Sequence, residues 1–385
     1  MTKIYVDKDI SFAETLPGSF YKSKDFFEQV KEKIFVRSWQ FIGHQNVLPI
    51  NINLYPFNFL PNFIDEPLVL ARKNDDSIKC LSNVCTHRAN IIINDPCEKK
   101  SLSCQYHGRK FDLDGRFKFM PDFEKTKNFP RDCDNLRSFP ISKFGPFLFT
   151  SLEPSHEIQN IFDEISNRLS FFDFNGLIER PDLSVDHLVN ANWAVYCENY
   201  LDPFHIPFVH KELTNVLDIN QYKTEIYDKY NLQIGYASDG EDSFKIPEGH
   251  KDFGSNISAY YYWIFPNIML NFYPWGLSIN IVTPININRT KISFIQFMID
   301  ESKYNSGAGG LIDKVEREDE FVVEQVGKGL ESRYYKTGRF SAIKEQAIHH
   351  FHTLIADFLT IIGVLIAMFY LSVELTLVTL AISPP

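Results

Sequence analysis

The 385-residue sequence has no excess of positive charge, because 39 Lys and Arg residues stand against 49 Asp and Glu, which leaves a formal net charge of −10. No long run of Lys and Arg offsets this balance, so a nucleic-acid partner is excluded. The amino terminus lacks the uninterrupted apolar stretch of a secretory signal, which predicts a cytoplasmic protein. A dinucleotide fingerprint is also missing, because "GAGG" at residues 307–310 lacks the G-x-G-x-x-G spacing.

Cysteine is scarce, and most of the six cysteines show no ligand-like spacing: Cys80, Cys97, Cys133 and Cys197. The other two stand beside histidines, as Cys85-x-His87 and Cys104-x-x-His107. Two thiolates and two imidazoles from two loops are the ligand set of a Rieske [2Fe–2S] centre, in which the cysteines hold one iron and the histidines the other. Two alternatives are a Cys2His2 zinc site, whose usual spacing differs, and chance pairing on turns.

Between its ends the chain falls into three segments. Residues 1–41 end in a predicted amphipathic helix, because apolar residues recur at helical spacing from residue 25. Residues 42–150 are short apolar runs broken by Pro, Gly, Asn and Asp, which predicts an all-β domain. Residues 151–358 combine helices with aromatic and β-branched strands and finish in a helix-rich stretch. This order predicts an α+β layer in which an antiparallel sheet curves around a long closing helix.

The apolar tail at residues 359–385 is long enough to cross a bilayer as a helix. Glu374 lies well inside it, and a carboxylate in mid-membrane costs roughly 2.5–3.5 kcal/mol. Three interpretations stay open: a carboxy-terminal membrane anchor, a helix buried at a subunit contact, and an extension of a fold already complete by Leu359.

A second metal site is indicated by "YCENYLDPFHIPFVH" at residues 196–210. Asp202 and His205 are predicted to share a helix face, and Pro207 is predicted to end that helix and to return His210 to the same point. Two imidazoles alone hold iron loosely, so a carboxylate is needed. The histidines at 349, 350 and 352 are rival ligands by residue type, and we interpret them as helix-face or core residues.

Asp319 is the candidate carboxylate. It is the one charged member of a helical stripe whose other members are apolar: Val315, Val322, Val326 and Leu330. With His205 and His210 it would complete a two-histidine, one-carboxylate iron site that leaves positions open for oxygen. The alternative is a solvated or ion-paired surface residue, since the same helix is acidic through Glu316, Glu318 and Glu320.

These motifs, followed by the segment "EDEFVVEQVGKGLESRYYKTGRFSAIKEQAIHHFHTL", resemble the α subunit of Rieske non-haem iron oxygenases, the ring-hydroxylating dioxygenase superfamily. The resemblance extends from Leu16 to about Leu354. It is nearest to the branch that contains choline monooxygenase and the glycine betaine or carnitine oxygenases. One departure is Arg109, at a position where many relatives have Trp.

The resemblance implies a β-sandwich Rieske domain and a helix-grip catalytic domain. It implies a [2Fe–2S] cluster on Cys85, His87, Cys104 and His107, and one mononuclear Fe(II) on His205, His210 and Asp319. Asp202 matches the acidic residue that links a cluster histidine of one subunit to an iron-bound histidine of the next, and a homotrimer follows from that link. A separate flavin and iron–sulfur reductase would bring electrons from NAD(P)H.

The implied reaction is the hydroxylation or N-demethylation of a small substrate by O2. Aromatic residues in the later strands are candidates for a pocket that takes a quaternary ammonium or an aromatic ring, with core packing as the alternative: Tyr260, Tyr261, Tyr262, Trp263, Phe272, Tyr273 and Trp275. A membrane-anchored electron-transfer Rieske protein is the competing function. Such carriers have an extra cysteine beside each ligand pair, and residues 88–90 and 105–106 contain none.

Overall fold

The computed structural model describes residues 4–304 and 306–371, without the side chains of residue 311 and residues 361–371. The chain divides into two compact units. Val36–Asn175 form one unit, and the segments before and after it together form the other. The domain boundaries that we placed at residues 42, 151 and 359 stay predictions.

The chain begins with short helices, α1 (Gly18–Lys22) and α2 (Lys24–Val30), and α2 continues into a π-helical turn at Lys31–Phe35. The prediction of one amphipathic helix over residues 25–41 is therefore correct only as far as Phe35. Strand β1 begins at Gln40 because this segment pairs with another strand, and that pairing overrides the helical periodicity.

The unit Val36–Asn175 is built mainly of short strands, which confirms the all-β prediction. Its elements are β1 (Gln40–His44), β2 (Leu54–Phe59), β3 (Glu66–Arg72), β4 (Ile78–Ser82), β5 (Leu102–Ser103), β6 (Lys110–Phe111), β7 (Phe117–Phe119), β8 (Ser138–Phe139), β9 (Ile141–Phe144), β10 (Phe147–Thr150) and helix α3 (Gln159–Arg168). They form antiparallel sheets in the orders β1-β10-β9, β2-β3-β4-β8 and β5-β6-β7. Both Cys85 and Cys104 are part of its buried core.

The other unit contains an eight-stranded antiparallel sheet, as the α+β prediction requires. Its strands are β11 (Ile178–Glu179), β12 (Val185–Val189), β13 (Lys223–Ile226), β14 (Tyr230–Tyr236), β15 (Ile257–Ile264), β16 (Ile268–Tyr273), β17 (Gly276–Asn286) and β18 (Arg289–Met298). The order is β11-β18-β17-β16-β15-β14-β13, and β12 also pairs with β18. Every residue of the central strand β16 is buried. Both faces of this strand are therefore covered, and its polar side chain, Asn271, is buried together with the apolar ones.

Besides α1 and α2, the described residues of this unit form α4 (Trp193–Tyr200), α5 (Ile206–Val209), α6 (Leu213–Val216), α7 (Ile312–Leu330) and α8 (Gln346–Leu371). The amino-terminal segment is tied to α8, because Lys33 Nζ donates to the carbonyl oxygen of Leu359 at 2.9 Å. The amide of Leu16 likewise donates to Nδ1 of His352 at 3.1 Å. On its other side, the ring of His352 hydrogen-bonds Glu198 of α4 at 2.9 Å, so this histidine is a core residue.

Helix α8 is described as far as Leu371, and the rest of the apolar tail predicted at residues 359–385 lies outside the described residues. No helix in the described part of the chain combines the length and the apolar character that crossing a bilayer requires.

Candidate metal centres

The two Cys/His pairs lie in two loops of the β unit that have the same backbone hydrogen bonds. The carbonyl oxygen of Cys85 accepts from the amide of Ala89 at 2.9 Å, and that of Cys104 accepts from the amide of Gly108 at 3.0 Å. Ala89 and Gly108 both have positive φ, at 53° and 73°. This conformation favours glycine, and it closes each loop tightly behind its cysteine.

The four side chains meet between these loops. The rings of His87 and His107 lie 4.7 Å apart, and both cysteines are buried. Burial raises the pKa of the Cys85 thiol. Burial also opposes the ionisation of Cys104, but hydrogen bonds from backbone amides and from Cys85 outweigh it. The pKa of the Cys104 thiol is therefore below its usual value. Burial lowers the pKa of His87 and so favours the neutral ring that binds metal.

The fit to an iron–sulfur cluster is supported by an unpaired nitrogen. Nδ1 of His107 is buried without a hydrogen-bond partner among the described residues. A buried polar atom of this kind is costly unless something occupies its lone pair, and a metal ion does so. The donor set of two thiols and two imidazoles therefore fits a Rieske cluster.

Arg109 lies in the core of the same unit. Its guanidinium pairs with Asp134 at 2.8 Å, and the exposed side-chain fractions are 2% for Arg109 and 9% for Asp134. Three aromatic rings surround the cation, Phe111, Phe117 and Phe129, with centroids 5.7, 5.1 and 5.4 Å away. The carbonyl oxygen of Asp134 also accepts from the hydroxyl of Thr86, inside the first Cys/His loop. Asp134 thus bonds the first Cys/His loop, and Arg109 directly follows the second, so the pair links both loops to the core.

The second predicted site brings together His205, His210 and Asp319, each offering one ligand atom. The two Nε2 atoms lie 3.0 Å apart, and Oδ1 of Asp319 lies 2.9 Å from Nε2 of His210 and 3.3 Å from Nε2 of His205. Adjacent ligands of an octahedral ion with bonds of about 2.1 Å are separated by about 3.0 Å. The spacing of the three atoms therefore fits one face of the coordination octahedron of such an ion. Their role as iron ligands stays a prediction.

The local structure around the histidines differs from the prediction. Helix α4 ends at Tyr200, so Asp202 and His205 lie in the turn that follows it and not on a helix face. Pro207 stands in the first turn of α5 and does not end a helix. A proline suits this place because the first amides of a helix have no internal partner. His210 comes directly after α5, and this single short turn brings both rings to one point.

Asp319 is not the surface residue of the alternative interpretation, since only 14% of its side chain is exposed. The apolar stripe assigned to α7 is partly wrong. Val326 is 43% exposed, and the buried apolar residues of the helix are Val323 and Leu330. The face that turns inward carries Glu316, Asp319 and Val323, which follow one another at helical spacing.

Three further side chains contact the triad residues His205, His210 and Asp319. Oε2 of Glu318 lies 2.8 Å from Nδ1 of His210, and Oδ2 of Asp202 lies 3.5 Å from Nδ1 of His205. The amide of Asn199 donates to Oδ1 of Asp319 at 3.0 Å. Neither Glu318 nor Asn199 was found from the sequence, because adjacent residues on a helix point in different directions and no spacing rule marks them.

The carboxylates control the charge of the histidines in the metal-free chain. Burial alone lowers the pKa of His205, but Asp202 and Asp319 raise it to about 9. The pKa of His210 is likewise raised by Asp319 and Glu318 against the effect of burial. Burial raises the pKa of Asp319, and hydrogen bonds from the two histidines bring it below its usual value. The site is therefore built to hold positive charge.

A cavity of about 100 Å³ opens beside this triad, and Asp202, His205, His210 and Asp319 all line it. Five tyrosines contribute to its wall: Tyr196, Tyr200, Tyr222, Tyr261 and Tyr273. Two of the seven aromatic residues proposed from the sequence thus line the cavity. The other five are buried and are not among its lining residues: Tyr260, Tyr262, Trp263, Phe272 and Trp275.

A β unit with two Cys/His loops, together with a helix–sheet unit with a two-histidine, one-carboxylate cluster, defines the class of Rieske-type iron oxygenases. Comparison with known families agrees. Residues 38–130 match the Rieske [2Fe–2S] domain, and residues 174–361 match the ring hydroxylating alpha subunit (catalytic domain). The chain belongs to the α subunits of Rieske non-haem iron oxygenases. Members of this family carry a Rieske cluster and a mononuclear iron and receive electrons from a separate reductase.

Among curated proteins, the chain is 29% identical to the chloroplastic choline monooxygenase of Arabidopsis thaliana, over 89% of this chain and 82% of that protein. It is 28% identical to the carnitine monooxygenase oxygenase subunit of Escherichia coli (strain K12), over 90% of this chain and 94% of that protein. The electron-transfer alternative finds no support in these matches.

Among solved structures, the quaternary ammonium Rieske monooxygenase CntA in complex with L-carnitine superimposes with a TM-score of 0.73, at 21% identity, over 93% of this chain and 99% of that one. Naphthalene 1,2-dioxygenase from Rhodococcus sp. superimposes with a TM-score of 0.66, at 15% identity, over 90% of this chain and 94% of that one. These likenesses confirm the fold.

Proposed function

We propose that this oxygenase component hydroxylates or N-demethylates a small quaternary ammonium compound. The observation that carries the proposal is the convergence of His205, His210 and Asp319 at the wall of a tyrosine-lined cavity. Tyrosine faces attract quaternary ammonium groups through cation–π contacts. The choline and carnitine monooxygenases among the relatives support the same substrate class.

In this proposal Cys85, His87, Cys104 and His107 hold the cluster, and His205, His210 and Asp319 hold the iron. The iron, when bound, supplies the activation of O2. One oxygen atom enters a C–H bond of the substrate, and the other leaves as water with two electrons from NAD(P)H, delivered by the reductase, and two protons. The tyrosine wall holds the substrate beside the triad and excludes water from it.

Asp202 lies behind His205 and acts on that ring through its charge. Its Oδ1 accepts from the amide of Phe204 at 2.8 Å, which fixes the carboxylate, and its Oδ2 faces Nδ1 of His205. We further propose that Asp202 joins this ring to a cluster histidine of the neighbouring copy in a homotrimer. The solved structure of a quaternary ammonium Rieske monooxygenase gives insight into inter-subunit electron transfer in that protein, which supports this arrangement.

Iron counting tests the metal assignment. Purified protein is expected to contain about three irons per chain, two in the cluster and one in the triad. The variant His205→Ala is expected to contain about two and to keep the Rieske absorption and EPR spectra. His350→Ala, which changes a histidine of α8 outside the triad, is the control and should keep all three. An unchanged iron count in His205→Ala would overturn the assignment.

Oxygen consumption tests the substrate class. The holoenzyme with a generic reductase and NAD(P)H is expected to consume O2 with choline, glycine betaine or carnitine, and His205→Ala is not. Stimulation by simple aromatic acids, with none by any quaternary ammonium compound, would overturn the substrate class and leave the oxygenase assignment intact.

A further inference from the structure

The carboxylates that line the cavity are not balanced by Lys or Arg among the residues described there. Three carboxylates belong to its wall, Asp202, Glu316 and Asp319, and no Lys or Arg is found among its described lining residues. The other polar side chains of the wall, the histidines apart, are neutral amides and phenols. Asp319 is assigned to the iron in the proposed function and Asp202 faces His205, so Glu316 is the carboxylate left without an assigned partner of opposite charge.

Glu316 is held in place by neutral donors. The hydroxyl of Tyr196 donates to its Oε2 at 2.6 Å, and the side chain of Asn280 also hydrogen-bonds it. Asn280 is itself fixed, because its Oδ1 accepts from the hydroxyl of Ser278 at 2.8 Å, which leaves its amide nitrogen to face Glu316. Gln296 extends this chain by donating to Ser278 at 3.1 Å.

These bonds orient the carboxyl group and bring no positive charge to it. Glu316 lies one helical turn before Asp319, so both side chains leave α7 on the same face. Burial raises the pKa of Glu316 well above its usual range, and the charge of Asp319 adds to this effect. An ionised carboxylate that is buried without a cation is costly, so Glu316 favours its neutral form until a cationic ligand brings the opposite charge and favours ionisation.

The tyrosines complete the surroundings of a cation. Tyr196 and Tyr200 lie at i, i+4 on α4 and share the face that lines the cavity. Tyr261 and Tyr273, on neighbouring strands, meet edge to face at 5.8 Å. Ring faces carry partial negative charge, so they favour the same ligand as Glu316 does.

We infer that Glu316 is the counter-ion of the substrate's ammonium group and that the cavity selects a cation without a carboxylate. An amino alcohol of the choline kind satisfies the wall, because its hydroxyl can bond the amides and phenols. Carnitine and glycine betaine would bring a further carboxylate to a wall that has three already. This inference rests on the proposed function and narrows its substrate.

Binding measurements on the iron-loaded holoenzyme test it. Isothermal titration with choline, 3,3-dimethyl-1-butanol, L-carnitine and glycine betaine compares a cation with its uncharged isostere and with two zwitterions. We expect choline to bind about thirtyfold or more tightly than each of the others. Equal affinity of choline and either zwitterion would overturn the charge selection, and this outcome needs no variant.

Glu316→Gln tests the residue. It keeps the size and the hydrogen bond from Tyr196, so it is expected to retain iron and to lose the preference for choline over the uncharged isostere. Glu324→Gln, on the same helix but bonded to Asn190 outside the cavity, is the matched control and should keep that preference. If Glu316→Gln fails to fold, Glu316→Asp is measured in its place. It must weaken the binding of choline and leave the binding of the uncharged isostere unchanged. A variant that discriminates as the parent does overturns the role of Glu316.

Different results would contradict the counter-ion role of Glu316 and the proposed substrate class. If choline drives O2 consumption and Glu316→Gln still discriminates, only the counter-ion inference is lost. If choline neither binds nor drives consumption, the inference falls together with the proposed substrate class, while the iron counts still report on the oxygenase assignment.

Discussion

Oε2 of Glu318 lies 2.8 Å from Nδ1 of His210, on the side of the ring away from Asp319. The carboxylate accepts the outer N–H and thereby fixes both the tautomer and the direction of Nε2. Groups in this position change metal affinity by about 10–100-fold when they are lost. Glu318→Gln is therefore expected to weaken Fe(II) binding at least about tenfold, measured by competition with a chelator.

The control for this experiment is Asp313→Asn on the same helix. Asp313 pairs with Arg317 at 3.2 Å, and both side chains are largely exposed, so its loss costs little. If Glu318→Gln retains iron as firmly as this control, Glu318 is a surface residue that happens to lie near His210.

The carboxylate of Asp202 is expected to affect turnover and not metal content. Asp202→Asn keeps the shape of the side chain and the bond from Phe204, but removes the charge that faces His205. The iron count and the Rieske spectrum should stay unchanged while kcat falls by about a hundredfold or more, because the variant no longer stabilises the protonated outer nitrogen. A fall in iron content would show instead that Asp202 acts by holding the ring in place. Asp218→Asn, at an acidic residue away from the triad, should leave both quantities unchanged.

The pairs of cysteine and histidine could be predicted because each pair is local. Two or three residues in one turn decide where a thiol and an imidazole point, and the spacing is visible in the sequence. Asp319 lies 109 positions after His210. Its place is decided by packing of α7 against α4, which no local pattern reports. The spacing made Asp319 a candidate but left it open between an iron ligand and a surface residue, and the resemblance to a family favoured the ligand.

The errors of the sequence-based predictions also arise because local patterns do not report tertiary packing. Pro207 was assigned to the end of a helix, although it suits the beginning of α5 equally well. The stripe of α7 was drawn through Val326, which is exposed, while Glu316 was counted with the acidic surface. Periodicity identifies a helix face but does not show whether that face packs against a core or lines a cavity. The wall of a cavity can contain polar residues that would be costly in a packed core.

Protons and metal compete for the triad, which gives a pH dependence with a definite sign. The pKa of His205 is about 9 in the metal-free fold and about 6.5 in an unfolded chain. A raised folded pKa stabilises the metal-free protein fully below about pH 6.5, and this contribution disappears as the pH rises through 9. We expect the Tm of the metal-free protein to fall across this range.

Fe(II) affinity is expected to change in the opposite direction, because the metal binds neutral imidazole and must displace the proton. Anaerobic titrations at pH 6.5 and 8.5 should show tighter binding and less proton release at the higher value. Asp319→Asn removes one carboxylate that holds the proton, so the fall in Tm should shrink in that variant. Affinity that is constant over the range would contradict the coupling.

The pair Arg109 and Asp134 is expected to support the fold of the cluster-binding unit. Arg109→Met leaves a buried carboxylate without its closest cation, and breaking such a pair costs about 3–5 kcal/mol. Denaturant unfolding of this unit should show that loss, and cluster content should fall with it. The double variant Arg109→Met/Asp134→Asn should recover part of the stability, because no charge remains unpaired.

Arg88→Met is the comparison, since Arg88 is exposed on the first Cys/His loop of the same unit. It should unfold like the parent. If the double variant is no more stable than Arg109→Met, the contribution of Arg109 comes from its contacts with the three phenylalanine rings.

The bonds from Leu16 and Lys33 to α8 have a consequence for how the enzyme is made. The ribosome releases these first residues early, then synthesises the whole cluster-binding unit, and only much later produces the helix to which they attach. The amide of Leu16 and the amine of Lys33 must therefore wait for these partners through nearly the entire length of translation. A truncation before Val36 would therefore leave His352 and the carbonyl oxygen of Leu359 without these donors.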